Sequence, residues 1–162
     1  MANFQYFSGT IREITDFWTG NEQTTGCYKF MSLQDEDGNI VNFIVAPNTY
    51  FVDHATMSMG DAAIGFYDAD LPVALIFPPQ YQAVVMARAS LYYNVKVDYF
   101  DTNLVSGDGM LRLNLSPSTR ILLENNQSFT GNPANRNLIV LYSASTRSIP
   151  AQTTPHTIIV MC

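Results

Sequence analysis

Two groups of carboxylates have the residue types and the close spacing that could bind a divalent cation. Asp68 and Asp70 are separated by one residue, and residues 35–37 are all acidic. Calcium is held by about six to eight oxygen ligands in flexible geometry, so clustered carboxylates suit it. Neither group has the spacing of an EF-hand loop. The interpretation that these acids are solvated side chains in turns is therefore favoured. We predict no metal site and no cofactor, with calcium binding in these turns as the alternative.

The residue types needed for nucleophilic catalysis are present but are not arranged for it. A nucleophile needs a base within hydrogen-bond reach and an orienting third group. The two histidines, His54 and His156, lie in unrelated contexts, and no Gly-x-Ser-x-Gly or His-Glu-x-x-His string occurs. We expect Cys27 to lie in a strand and pack in the core. The sequence predicts a protein that is not an enzyme and has no catalytic residues.

The most distinctive string of the chain runs from Tyr67 to Tyr81 and encloses an apolar stretch between prolines. A polar turn with Asp68 and Asp70 follows the first tyrosine. Pro78-Pro79 precede the second tyrosine and are expected to stiffen a polyproline-like connection.

Strands must position these residues, because apolar and polar residues alternate through most of the chain. The alternation is clear in residues 7–14, 28–33 and 110–115. Residues 82–90 have fair helix propensity, but their counterpart, residues 157–161, is β-branched, so we expect both to be strands. A short helix or turn is expected around residues 52–59.

Two Asp-Gly dipeptides, at residues 37–38 and 108–109, predict hairpin turns at matching places. We expect type I′ turns there, which require a positive φ at both central residues. The strands that follow end at Pro47 and Pro117, since proline cannot donate to a central ladder.

The chain carries an internal repeat. Residues 40–51 align with 110–121, residues 64–69 with 139–144, and residues 85–86 with 160–161. The fold class is therefore predicted as all-β, with two tandem OB-like small β-barrels from an internal duplication, each with about five strands. The expected domains are residues 1–89 and residues 90–162. One pseudo-twofold-symmetric barrel or sandwich is the alternative.

Charge is divided unevenly over the 162 residues, whose net charge is −6. Residues 1–87 hold ten acids and two bases, a charge of −8, whereas residues 88–162 hold four acids and six bases, a charge of +2. This asymmetry indicates either divergence of two solvated surfaces or head-to-tail association of copies. No apolar run approaches the ~20 residues of a membrane span. We expect a cytoplasmic protein with no membrane partner, or an exported or cell-surface protein if a signal has been removed.

The two copies differ most in their loops, and loops on a rigid scaffold often carry binding residues. In an OB-fold the loop after the first strand and the loop before the last flank the ligand face; here these are residues 18–26 and 68–80. The candidate ligand-binding residues are Trp18, Tyr67, Asp68, Asp70 and Tyr81.

The predicted function is a non-enzymatic binding or assembly module whose partner, a protein or another copy of the chain, contacts these two loops. Binding of a carbohydrate or cell-surface ligand is the alternative, with Trp18 as a stacking platform. Single-stranded nucleic-acid binding by the second copy is the third choice, because its tyrosines lie beside Lys96 but its positive charge is sparse.

Several strings of the first copy also carry a resemblance: Gly9-Thr-Ile11, Gly60-Asp61, Tyr67-Asp-Ala69 and Pro78-Pro-Gln-Tyr81. In these strings the chain resembles a small uncharacterised β-domain of Firmicutes proteins, which is sometimes found with copper-amine-oxidase-like N-terminal modules. The resemblance covers residues 7–87 and, more faintly, the second copy, which has Thr153-Thr154-Pro155 in place of the double proline. It implies a β fold and no known activity.

Overall fold

The computed structural model describes residues 2–162, and strands account for nearly all of the regular structure there. The all-β prediction is confirmed, with 45% of residues in strands and 4% in helices. The helical residues form two single 3₁₀ turns, Glu22–Thr24 and Val52–His54. By contacts between its residues the chain divides into two units, one of which is Phe4–Ala89 and the other of which contains Ser90–Cys162.

The first unit holds seven strands in one sheet. They are β1 (Phe4–Asp16), β2 (Lys29–Gln34), β3 (Ile40–Val45), β4 (Tyr50–Phe51), β5 (Ala62–Asp68), β6 (Gln80–Gln82) and β7 (Val85–Arg88). The long strand β1 pairs antiparallel with β5 through its first half and with β2 through its second half. β2 pairs antiparallel with β3, β3 is parallel to β6, and β7 lies antiparallel to β5 and parallel to β4. Only two residues separate β6, at one edge of the sheet, from β7, which lies next to the strand at the other edge.

The core of the first unit follows from alternation along its strands. In β3, Val41, Phe43 and Val45 are buried while the residues between them are only partly buried. Phe43 is fully buried, and a Cβ atom added at Gly65 would lie 2.5 Å from its ring carbons. Glycine is therefore required at position 65, because any side chain there would enter the space of the Phe43 ring.

The second unit holds six strands: β8 (Asn94–Phe100), β9 (Leu111–Leu113), β10 (Arg120–Leu123), β11 (Arg136–Tyr142), β12 (Ala151–Thr153) and β13 (Thr157–Met161). β11 lies between β8 and β13 and is antiparallel to both, and β10 is parallel to β13. β9 and β12 form a separate parallel pair. The core of this unit includes Phe100, Leu113, Leu138 and Ile158, all of them buried.

Each unit contains a parallel pair of strands, and the register of the pair is the same in both units. Phe43 of β3 pairs with Tyr81 of β6, and Leu113 of β9 pairs with Thr153 of β12, in both cases between parallel strands. Phe43 and Leu113 are also both core residues of their own units. Phe43 and Leu113, which the sequence alignment matches, therefore both lie in a buried core beside a parallel strand.

The register of the last strand differs from the sequence alignment. In the first unit Phe66 pairs with Val85, and in the second Leu141 pairs with Thr157. Val85 is thus equivalent to Thr157, so the predicted match of residues 85–86 with 160–161 is wrong by three residues. The alignment matches these residues because their types are identical. In the structure, however, the connection before β12, residues 143–150, is three residues shorter than the connection before β6, residues 69–79.

The Asp-Gly turns also differ from the expectation. Gly38 and Gly109 have φ values of 83° and 72°, but neither preceding aspartate has a positive φ, so the type I′ prediction is wrong. In the first turn the Asp35 Oδ1 accepts hydrogen bonds from the backbone N–H groups of Asp37 and Asn39. This carboxylate closes a longer loop in which only the glycine needs left-handed backbone.

Two smaller expectations have clear outcomes. Residues 85–88 form a strand, as expected, because they pair with β5 and are mostly buried. The short helix or turn expected around residues 52–59 is confined to the 3₁₀ turn Val52–His54.

Candidate functional site

A cleft of about 420 Å³ opens in the first unit where β5 ends and β6 begins. Its walls come from these two strands, from the end of β3 and from the connection that joins β5 to β6. The lining residues are Ile44, Tyr67, Asp68, Leu71, Pro72, Val73, Ala74, Gln80, Tyr81 and Gln82. We call this the tyrosine cleft. Its volume lies within the range of small-ligand pockets, roughly 300–1,000 Å³.

Two stacked tyrosines form one side of the tyrosine cleft. The ring centroids of Tyr67 and Tyr81 are 3.8 Å apart and their planes differ by 6°. The buried ring of Phe43 packs against both, at centroid distances of 6.2 and 6.5 Å. This support from the core holds the pair in a fixed orientation, which is what a recognition surface needs.

The environment of Tyr67 also changes its acidity. Partial burial, together with a hydrogen bond to the Tyr81 hydroxyl, raises the pKa of Tyr67 from 10.0 to about 12. Burial raises it because the phenolate is poorly solvated there, and the hydrogen bond favours the neutral phenol. Tyr67 is therefore a neutral hydrogen-bonding group across the whole physiological pH range.

The two aspartates at the start of the connection shape its first turn. The backbone N–H of Asp70 donates to the Asp68 Oδ1 at 3.0 Å, and the N–H of Leu71 donates to the Asp68 carbonyl at 3.2 Å. Asp68 lines the tyrosine cleft, whereas Asp70 is exposed and lies outside its lining. The geometry is that of an Asx turn, in which a carboxylate supports the backbone.

The rest of the connection is an exposed apolar segment. All seven residues at positions 71–77 are exposed, and none of them has a polar side chain. Leu75 and Phe77 are almost fully accessible, at 101% and 92%. We call residues 71–77 the apolar loop; its first residues form a wall of the tyrosine cleft.

Trp18 lies in the connection between β1 and β2 and is 60% exposed. It is not among the residues that line the tyrosine cleft. The cleft thus brings together Tyr67, Asp68 and Tyr81 of the five candidates, and leaves Trp18 and Asp70 outside.

Ile44 and Gln82 line the cleft but were not among the candidates. Ile44 comes from β3, about forty residues before Gln82, and the two pair across the parallel strands β3 and β6. Parallel pairing between distant segments leaves no local signal in the sequence. The polar alternation Gln80-Tyr81-Gln82 was the one available hint that these residues face a surface.

Other reactive groups lie apart from this cleft. Cys27 and Cys162 are both exposed free thiols, so the expectation that Cys27 packs in the core is wrong. The reason is that residue 27 belongs to a turn before β2, not to the strand itself. Within residues 2–162, no group of three or more His, Cys, Asp or Glu side chains is placed to hold a metal ion.

Comparison with known proteins adds no relative. No protein-family model matches the chain, and neither a curated protein nor a solved structure is significantly similar to it. In the part of the chain that the structure describes, no helix is long and apolar enough to cross a membrane. The tyrosine cleft and the apolar loop are therefore the features from which a function can be inferred.

Proposed function

We propose that this chain is a non-enzymatic assembly module that binds a second copy of itself through the apolar loop. In this proposal each unit is an OB-like barrel, and the two arose by an internal duplication. Two sets of pairings support the barrel. β1 pairs with both β2 and β5, and the segment made of β6 and β7 pairs with β3 through β6 and with β5 through β7. If β6 and β7 are taken as one strand, this is the order of a five-stranded Greek-key barrel. The recurring registers support the duplication.

The observation that carries the proposal is the exposure of the apolar loop. Monomeric soluble proteins rarely expose long contiguous apolar segments, and such segments mark interfaces. Fully burying one large apolar side chain contributes about 1.5–3 kcal/mol. Burial of Leu75 and Phe77 alone would then contribute about 3–6 kcal/mol, before the cost of ordering the loop.

Charge favours another copy of the chain as the partner. Residues 1–87 have a charge of −8, and the apolar loop lies in this acidic part. Residues 88–162 have a charge of +2, with exposed arginines at positions 112, 120, 136 and 147. The acidic residues 1–87 of one molecule are complementary to the slightly basic residues 88–162 of the next, which favours head-to-tail assembly.

Carbohydrate binding is the second candidate, because Trp18 is largely exposed and the tyrosine cleft combines aromatic rings with Gln80 and Gln82. Planar amides and aromatic faces suit the polar and apolar faces of a sugar ring. Nucleic acid is disfavoured at this cleft, since no lysine or arginine lines it.

The experiment compares the oligomeric state of the wild type with that of the double variant Leu75→Ser/Phe77→Ser. Light scattering coupled to size exclusion measures the molar mass at low and at high salt. We expect an oligomer for the wild type, with weaker association at high salt, and a monomer for the double variant. Leu91→Ser is the matched control, because Leu91 is 99% exposed but lies outside the loop, and it should leave the oligomer unchanged.

A monomeric wild type at high protein concentration would overturn the assembly proposal. An oligomer that the double variant retains would show that another surface mediates association. A monomer whose Trp18 fluorescence changes saturably with added glycans would favour the second candidate.

A further inference from the structure

The second unit contains a cleft of about 660 Å³ at the place that corresponds to the tyrosine cleft. We call it the hydroxyl cleft. It is lined by Asn114, Ser143, Ala144, Ser145, Thr146, Gln152, Thr153, Thr154 and His156. No candidate residue lies in it, and the proposed assembly does not use it.

Strand pairing establishes that the two clefts are equivalent. Phe43 pairs with Tyr81, and Leu113 pairs with Thr153, in the same parallel register. Gln80 and Gln152, one residue earlier, therefore occupy the same place in the two clefts. A glutamine is thus found at this position in both units, while its neighbours have changed type.

The chemistry of the two clefts is different. At the positions of Tyr81 and Asp68 the second unit has Thr153 and Ser143. Ala144 is the only lining residue of the hydroxyl cleft without a hydrogen-bonding side chain, and no Lys, Arg, Asp or Glu lines it. The second unit therefore has hydroxyl groups where the first unit has an aromatic ring and a carboxylate.

Hydrogen bonds hold the polar groups of this cleft in position. Asn114 Nδ2 donates to Gln152 Oε1 at 3.2 Å, and the backbone N–H of Gln152 donates to Thr146 Oγ1 at 2.8 Å. Thr153 Oγ1 donates to the Ala144 carbonyl at 2.5 Å. The imidazole of His156 packs in a T-shaped contact with the Tyr93 ring, at a centroid distance of 5.7 Å. Groups fixed in this way need little ordering when a ligand binds.

We propose that the hydroxyl cleft binds a neutral, hydroxyl-rich ligand of the chemical class of a sugar. Hydroxyl and amide side chains both donate and accept, as sugar hydroxyls do, so donors and acceptors can be matched in pairs. A site for an anion usually has arginine or lysine in its lining, and a site for a cation has carboxylates. The hydroxyl cleft has neither. An apolar ligand would leave the polar lining groups without partners, at a cost in free energy for each.

The test is a titration of the isotope-labelled full chain with maltose, cellobiose and N,N′-diacetylchitobiose into the millimolar range, followed by NMR. We expect at least one of these sugars to shift the side-chain amide signals of Asn114 and Gln152 saturably. Both residues are exposed, so Gln152→Ala and Asn114→Ala should fold, which the dispersion of the spectra checks. Each variant should weaken binding about tenfold, the size of one good hydrogen bond.

Gln127→Ala is the matched control, because it removes an exposed glutamine of the second unit that does not line the hydroxyl cleft, and it should leave the affinity unchanged. The proposal is overturned if none of the three sugars gives a saturable shift, or if the shifts map to the first unit. It is also overturned if Gln152→Ala binds as well as the wild type, or if inorganic phosphate gives the same saturable shifts, since an anion site would then be present.

Discussion

Tyr67 shows how one residue depends on the packing around it. Its ring is stacked on Tyr81, and both rings pack against the buried Phe43. Its pKa is raised to about 12, mainly by burial and to a smaller extent by the hydrogen bond to Tyr81. The raised pKa means that folding favours the neutral phenol over the phenolate. This contribution to stability is fully present below pH 10 and is lost as the pH rises toward 12.

The prediction at this scale concerns alkaline titration. Phenolate absorbance of the wild type should end in a step near pH 12, and we assign this last step to Tyr67. Tyr67→Phe should remove that last step and make the stability less dependent on pH between 10 and 12. Tyr92→Phe, at a tyrosine that is 85% exposed, is the control and should retain the step. Persistence of the last step in Tyr67→Phe would assign it to another residue.

At the scale of elements, the threonine of each Pro-x-Thr string joins a turn to the residues just before the last strand of its unit. Thr49 Oγ1 accepts from the N–H of Ala46 at 3.0 Å and donates to the carbonyl of Ala83 at 2.8 Å. In the second unit Thr119 Oγ1 accepts from the N–H of Ser116 at 3.3 Å and donates to the carbonyl of Pro155 at 2.7 Å. In both units the threonine hydroxyl thus joins segments that are far apart in sequence.

We expect Thr49→Val to lower the free energy of unfolding by about 1–3 kcal/mol, because it leaves the partly buried N–H of Ala46 and the buried carbonyl of Ala83 without their partner. Thr119→Val should cost less, since Thr119 is only partly buried. Urea denaturation measures both values. Thr49→Ser is the control, as it retains the hydroxyl and should stay close to the wild type. An equal loss in the serine and valine variants would assign the effect to the packing of the methyl group.

At the scale of the whole molecule, each unit has its own buried core. Ile11, Leu33 and Met86 belong to the core cluster of the first unit, whereas Phe100 and Leu138 belong to that of the second. All pairings of β1–β7 stay within the first unit. A unit of this size buries only ~60% of the surface of its unfolded chain, so its stability should be modest.

Residues 1–89 expressed alone should therefore unfold in one cooperative transition. Circular dichroism and Trp18 fluorescence should report the same midpoint in urea, as a two-state transition requires. An insoluble fragment, or midpoints that differ between the two probes, would mean that the first unit needs the second in order to fold.

Local pattern was enough to predict the all-β fold and to single out the string from Tyr67 to Tyr81. Alternation such as Val41, Phe43 and Val45 is visible in the sequence because successive side chains of a strand point to opposite faces. The same residues could not predict which strands pair. The register of Val85 with Phe66 depends on how the core closes, and matching of residue types misplaced it by three positions.

The sequence by itself determined that the chain is all-β, that its two parts share a pattern, and that Tyr67 and Tyr81 enclose an apolar segment. Tertiary structure decided that these two rings stack, that Ile44 and Gln82 join them in a cleft, and that Trp18 and Cys27 lie elsewhere. It also decided that the equivalent cleft of the second unit is lined by hydroxyl and amide groups. The physical reason is that alternation is a property of neighbouring residues, whereas a cleft is formed by segments that meet only when the sheet has closed around its core.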